Sequence, residues 1–220
     1  AGMAGKSSLL RGLQTRSPTL ADADERTVAL ELSSLVLGEN ERSVHVSCWD
    51  FGGQEGYAPA QQPYLASSAL YLLVVPVHRA NDAHEGEVLG RWLDVLQARA
   101  PGAVVQPVLS QVDRVIPGVP ALLTEREQAT SVWKRARIDA ALSKMCRPEA
   151  LETAAADATA WVRARLRQQE QRHRSRGHSR QPQLSLHDDE VPCVTSIPGG
   201  CMSIVALQKR LEQLVLCEPP

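Results

Sequence analysis

The residues with the clearest chemistry stand at the very start. Gly5-Lys6-Ser7 is the end of a phosphate-binding loop of the form G-x-x-x-x-G-K-[ST]. Such a loop turns successive backbone N–H groups inward around a phosphate chain, so Gly2, Ala4, Gly5, Ser7 and Ser8 are candidate phosphate contacts. A helix opening at Lys6 would add its positive N-terminal end. The Lys6 ammonium would reach the β- and γ-phosphates, and the Ser7 hydroxyl would be a Mg²⁺ ligand. The motif's first glycine would fall one place before Ala1, so the loop and the strand leading into it are expected to begin upstream. Taken alone, these residues also fit a glycine turn before an ordinary helix.

A second stretch, Asp50-Phe51-Gly52-Gly53-Gln54-Glu55, closes a predicted strand. An Asp there can hold Mg²⁺, directly or through a water. The Gly53 N–H can register a γ-phosphate, and Gln54 can orient an attacking water. A plain Gly-Gly turn after a strand is the bland alternative. A third stretch, Ser110-Gln111-Val112-Asp113, follows a buried strand where an N/T-K-x-D guanine-reading motif would stand. The Asp113 carboxylate can accept two hydrogen bonds from the guanine ring N–H and amine, which discriminates against adenine. Gln111 replaces a Lys whose stem would pack along the base. Asp113 could instead cap the next element. Thr195-Ser196 offers a loop whose backbone N–H could meet the guanine carbonyl oxygen.

These stretches need elements to hold them. Leu9, Leu10 and Leu13 lie on one face of a short helix over residues 7–14. Residues 27–37 alternate as a half-buried strand, and Val44, Val46 and Cys48 alternate on the far side of a Gly38 turn, so the pair is predicted to be an antiparallel hairpin. Residues 69–77 and 104–109 are continuous apolar runs, the pattern of buried parallel strands. Between them, Val88, Leu89, Trp92, Leu93 and Leu96 recur at helical spacing, with Trp92 in core or interface packing. Residues 125–146 and 148–172 suit helices. Residues 163–180, rich in Arg, Gln, His and Ser, are expected to fray into a disordered linker. Residues 191–194 are expected to form a last strand, and 202–216 an amphipathic helix. Strands alternating with helices predict an α/β fold with a mainly parallel sheet and its ligand at the strands' carboxyl ends.

Composition limits the choices. With 220 residues, 43% hydrophobic, one domain with room for an insertion is expected. A net charge of -1 gives no pull toward nucleic acid, and no apolar run is long enough to span a membrane. The five cysteines show no C-x-x-C pairing and are expected to be reduced and mostly buried, as in a cytoplasmic protein.

The ordered set Gly5-Lys6-Ser7, Thr27, Trp49-Asp50-Phe51-Gly52-Gly53-Gln54, Ser110-Gln111-Val112-Asp113 and Thr195-Ser196 resembles a Ras-like small GTPase fold. More narrowly, it is similar to the Roc domain of the Roco family, as the W-D-F-G-G-Q-E form and the run from Tyr64 to Val74 indicate. The resemblance covers residues 1–113 and 190–217. It implies a P-loop NTPase fold over 1–217, with a helical and disordered insertion at 114–187 before the last strand. It implies GTP/GDP and Mg²⁺ as cofactors, with Ser7, Thr27 and Asp50 at the metal and Gln54 in catalysis. Glu25-Arg26-Thr27 resembles a switch I segment, which makes Thr27 the γ-phosphate sensor. A COR-type domain, a second Roc copy, and regulators or effectors at the switch loops are the implied partners. The expected activity is a molecular switch that hydrolyses GTP slowly. The alternatives are a nucleotide-binding or dimerisation module without useful turnover, and an interaction scaffold with a relic site.

Overall fold

The structure, a computed structural model, describes residues 4–18, 27, 30–38, 43–53, 55–175, 182–197 and 200–216. Gly2 and Gln54, and with them residues 25–26 of the expected switch, lie outside the described residues.

Helix α1 (Lys6–Thr15) opens directly after Gly5, whose φ of 77° is left-handed backbone that a side chain would oppose. Its buried face, Leu9, Gly12 and Leu13, meets α8 (Cys201–Leu216). A Cβ on Gly12 would stand 3.3 Å from Ile204 Cδ1, so the glycine lets the two helices close. Strands β1 (Leu30–Leu37) and β2 (Val44–Phe51) form the expected antiparallel hairpin, in register from Leu30 opposite Phe51 to Leu37 opposite Val44. Leu35 and Leu37 point to the core, while Leu32 and Val36 face outward, as period-two alternation requires.

After the short helix α2 (Ala58–Gln61), strands β3 (Leu70–Pro76) and β4 (Val104–Ser110) pair in parallel across the crossover helix α3 (Ala83–Arg99). Every residue of β4 is buried, as its unbroken apolar run predicts. The sheet is covered on both sides. Val75, Val105 and Leu109 pack with α3 and the later helices, whereas Val74 and Val108 pack with α1, α8 and the hairpin. This is a helix–sheet–helix sandwich with a parallel sheet, the expected class.

Two expectations change. Residues 191–194 do not form a ladder: a short β5 (Ser185–Leu186) pairs with β4, and Cys193 makes a single bridge to Leu109. Pro107 explains the gap. Val105 and Leu109 bond to the 187–194 segment through His187, Pro192 and Val194, and Pro107, on the same edge, has no N–H to give. The Gln106 side chain substitutes, donating to the carbonyls of His187 and Glu190.

The second change concerns residues 163–180. Helix α7 (Ala156–Ser175) continues through most of this polar stretch. Its buried face is Ala158, Val162, Leu166, Gln169 and His173, and its polar members are satisfied by Asp94 of α3. Helices α4 (Val119–Gln128), α5 (Val132–Met145) and α6 (Pro148–Ala154) precede it. Ile138, Leu142, Leu151 and Val162 share one core with Val105 and Leu109. The span 114–187 therefore contributes helices to the main core.

Candidate functional site

The carboxyl ends of β2, β3 and β4 converge on the loop before α1. Ala4 is fully buried there, and its carbonyl accepts a 2.7 Å hydrogen bond from the Ser110 hydroxyl at the end of β4. Lys6 follows at the first position of α1. Burial lowers its pKa, against the opposing pull of the carboxylates of Asp50 and Glu85. Desolvation of this half-buried ammonium is the larger effect, and the two carboxylates offset part of it.

Three oxygen atoms meet beside Lys6. The Ser7 hydroxyl donates to Asp50 Oδ2 at 2.5 Å and lies 2.8 Å from the Thr27 hydroxyl. Thr27 in turn donates to the same Asp50 oxygen at 3.0 Å. A carboxylate and two hydroxyls form a hard-oxygen set that fits Mg²⁺, which prefers a few protein oxygens, phosphate and water to a full protein cage. The residues expected at the metal, Ser7, Thr27 and Asp50, are thus brought together from positions 20 and 43 residues away from Ser7.

Gly53 lies just past the end of β2, beside the buried Gly52. The buried Gln61 amide donates to the Gly52 carbonyl at 2.9 Å and braces this turn. Ser8 sits half-buried in the first turn of α1.

On the other side of the loop, Gln111 adopts left-handed backbone with φ 56°. Its side chain packs over Gly5: a Cβ placed on Gly5 would stand 3.5 Å from Gln111 Nε2. Asp113 is buried in the helical turn that follows, and the Thr195 hydroxyl donates to its Oδ1 at 2.5 Å. Thr195 is itself held by the Ser203 hydroxyl, which accepts from its N–H at 3.3 Å and donates to the Gly200 carbonyl at 2.7 Å. Ser196, next along, is half-buried. Sequence reasoning cast Thr195-Ser196 as a backbone donor loop and missed the Thr195 side chain's hold on Asp113. It also missed Ser110's tie to Ala4, Gln61's brace and Glu85 near Lys6. None of these pairings leaves a spacing signal, because each joins segments remote in the chain.

The family model described as "Ras of Complex, Roc, domain of DAPkinase" matches residues 1–113, a span holding the phosphate-type loop, the hairpin, the Gly52-Gly53 turn and the Asp113 turn. The chain belongs to the Roc family. A mouse (Mus musculus) relative, leucine-rich repeat serine/threonine-protein kinase 1, is 35% identical over 115 residues, half of this chain and 6% of that protein. A Dictyostelium discoideum relative, described as probable serine/threonine-protein kinase qkgA, is 34% identical over 59 residues, 27% of this chain and 4% of that one. The Roc chain therefore spans a small part of the curated relatives it matches. Among solved structures, the Methanosarcina barkeri Roco2 RocCORdC structure bound to GDP aligns over 99% of this chain and 47% of its own, with a TM-score of 0.51 and 17% identity. That likeness is one of fold, and the alignment also takes in the helices beyond residue 113. No helix among the described residues is long and apolar enough to cross a membrane.

Proposed function

We propose that this Roc chain binds GTP and GDP with Mg²⁺ and slowly hydrolyses GTP, acting as a switch inside a larger polypeptide. One observation carries the reading. Ser7, Thr27 and Asp50 converge within hydrogen-bond distance beside the half-buried Lys6, while Asp113, held by Thr195, stands on the other side of the same loop. A phosphate end and a base end on either side of one loop have the polarity that a nucleotide requires.

In this reading Gly2, Ala4, Gly5, Ser7 and Ser8 present N–H groups to the phosphates, and Lys6 neutralises the β- and γ-phosphates. Asp113 receives the guanine ring N–H and amine, Gln111 flanks the base, and Ser110 and Thr195 hold the two reading loops in place; Ser196 meets the base carbonyl. Ser7, Thr27 and Asp50 hold the Mg²⁺, which would neutralise charge building on the phosphoryl oxygens. Gly53 contacts the γ-phosphate and Gln54 orients the attacking water. Loss of the γ-phosphate would release Thr27 and Gly53 together, changing the surface that partners meet.

The Roc-like unit is proposed to span 1–217, with 114–187 inserted before the last segment. A COR-type domain and a second Roc copy are its proposed neighbours; the archaeal RocCOR chain, bound to GDP, supports the first. Single-turnover GTP hydrolysis with Mg²⁺ tests this. Without an arginine finger, the expected rate is about 10⁻⁴–10⁻³ per second. Gln54→Leu should keep GTP binding and lose most of that turnover. Equal rates in the two proteins would leave a binding module without hydrolysis.

A further inference from the structure

Helix α5 turns one face to the core. Ile138 and Leu142 are buried on that side, and Cys146 just past the helix is buried with them. At about 100° per residue, the opposite side carries Trp133, Arg137, Ala140 and Lys144. All four are exposed, and the exposed Arg147 follows at the helix's end. Val132 stands beside Trp133 in the first turn. Trp133 is 87% exposed and Val132 80%, more than any other large apolar side chain among the described residues.

Two observations set this face apart from an ordinary solvated one. The first is that its charge is unpaired and of one sign. The one carboxylate in α5, Asp139, lies off this face and is held by Arg126. Lys134, also off this face, pairs with Glu125, and Arg135 donates to the Ala129 carbonyl. Among the described residues no hydrogen bond or ion pair engages the side chains of Arg137, Lys144 or Arg147. The second is the shape of the apolar end. An indole exposed to this degree has no wall along either ring face, so Val132 and Trp133 form a projecting tip and line no groove.

A partner must therefore supply negative charge over the length of α5 and an apolar layer that receives a convex tip. Duplex nucleic acid offers the charge but no such layer. An acidic protein would need carboxylates and, at the right distance, a pocket shaped for the tip. An anionic bilayer supplies both without a specific shape. Trp settles at the headgroup boundary, with its ring toward the acyl chains and its N–H toward water. Cations on the same helix face meet the anionic headgroups. The net charge of -1 for the whole chain does not oppose this, because salt confines the pull to about 10 Å.

We propose that the outer face of α5 docks the protein on an anionic phospholipid bilayer. Val132 and Trp133 enter the headgroup boundary, and Arg137, Lys144 and Arg147 face the charged headgroups. Ile138 and Leu142 stay in the core, so docking requires no unfolding and no helix crosses the membrane. Docking here is independent of which ligand the site beside Lys6 takes.

Sedimentation with vesicles tests it without nucleotide. The chain should bind phosphatidylcholine vesicles that contain about 30% phosphatidylserine and should not bind phosphatidylcholine alone. Each cation beside an anionic surface raises binding about fivefold, so Arg137→Gln, Lys144→Gln and Arg147→Gln together should weaken it on the order of 100-fold. The three side chains are exposed, so the urea midpoint of this variant should not move. Should the variant not fold, the unaltered chain gives a second measurement. Serine-containing vesicles with acyl chains brominated should quench its fluorescence, and that quenching should vanish in Trp133→Phe, which keeps the other three Trp. Equal binding to the two vesicles, or binding to neither, overturns the proposal. So does a triple variant that binds as tightly as the unaltered chain, or quenching that survives in Trp133→Phe. Preference for duplex DNA or for polyglutamate over the vesicles would make a nucleic acid or an acidic protein the partner, and overturns it equally.

Discussion

The Thr195 hydroxyl donates to the Asp113 carboxylate across 82 residues of sequence, so the last loop of the domain sets the orientation of the carboxylate that would read the base. Both residues are buried, and Thr195 is braced from behind by Ser203. Thr195→Val removes the donor while keeping the shape. Guanine preference over adenine should weaken by about 1–3 kcal/mol, the usual loss when a buried polar partner is withdrawn. Competition of ATP against labelled GDP measures it, and unchanged preference would dissociate Thr195 from base reading.

Asp113 makes a sharper prediction. Asp113→Asn exchanges an acceptor for a donor, so the site should turn from guanine toward xanthine nucleotides, whose donor and acceptor are likewise exchanged. Titration with GDP and XDP should show the order inverted. If GDP still binds better, the Asp113 turn does not contact the base.

Much of this was legible in the residues themselves, and the exceptions have physical causes. The hairpin, the two buried parallel strands and the amphipathic helices announce themselves by periodicity, because each buries one face or both. The residue types at the loop were legible too, since Gly-Lys-Ser and Asp-Phe-Gly-Gly are local. The ladder lost at Pro107 was not, because it depends on which neighbour the missing N–H would have faced. Helix α7 was underestimated for a related reason. Its buried stripe ends in Gln169 and His173, which look solvated in sequence but are paid off by Asp94 on another helix. Tertiary hydrogen bonds between distant loops, such as Ser110 to Ala4, carry no periodic trace at all.

That Ser110–Ala4 bond joins the loop proposed to read the base to the loop proposed to hold phosphate. Ser110→Ala leaves a fully buried carbonyl without this donor. Stability should fall by about 1–3 kcal/mol in urea denaturation. Affinity for pyrophosphate, which has no base, should fall with it. A change confined to the base would show the two loops to be uncoupled.

Alkaline pH should bear on two thiols, the buried Cys146 and the half-buried Cys193. Burial pushes Cys146 and Cys193 up to about 11, from 9.0 in the free thiol. Between those values the unfolded chain has lost protons that the folded chain keeps, so stability falls as pH rises from about 9 to about 11. For the nearly inaccessible Cys146 the loss is on the order of 2–3 kcal/mol. Lys6 acts with the opposite sign: its lowered pKa means the folded chain sheds a proton first, so stability rises through the window between its folded value and 10.5. Cys146→Ala should therefore flatten the decline between pH 9 and 11, followed by denaturant midpoint.

Lys6 offers the most direct test of the nucleotide site. In the ligand-free chain desolvation of this half-buried charge outweighs the pull of Asp50 and Glu85, so Lys6→Met should unfold at an equal or higher urea midpoint than the unaltered chain. Its worth should appear only with phosphate present, where a charge-assisted contact contributes about 1.5–3 kcal/mol. Calorimetric titration of GDP with Mg²⁺ should accordingly show binding in the unaltered chain and an affinity lower by at least about tenfold in Lys6→Met. Equal affinity in the two proteins, with both folded, would contradict the assignment of this loop to phosphate.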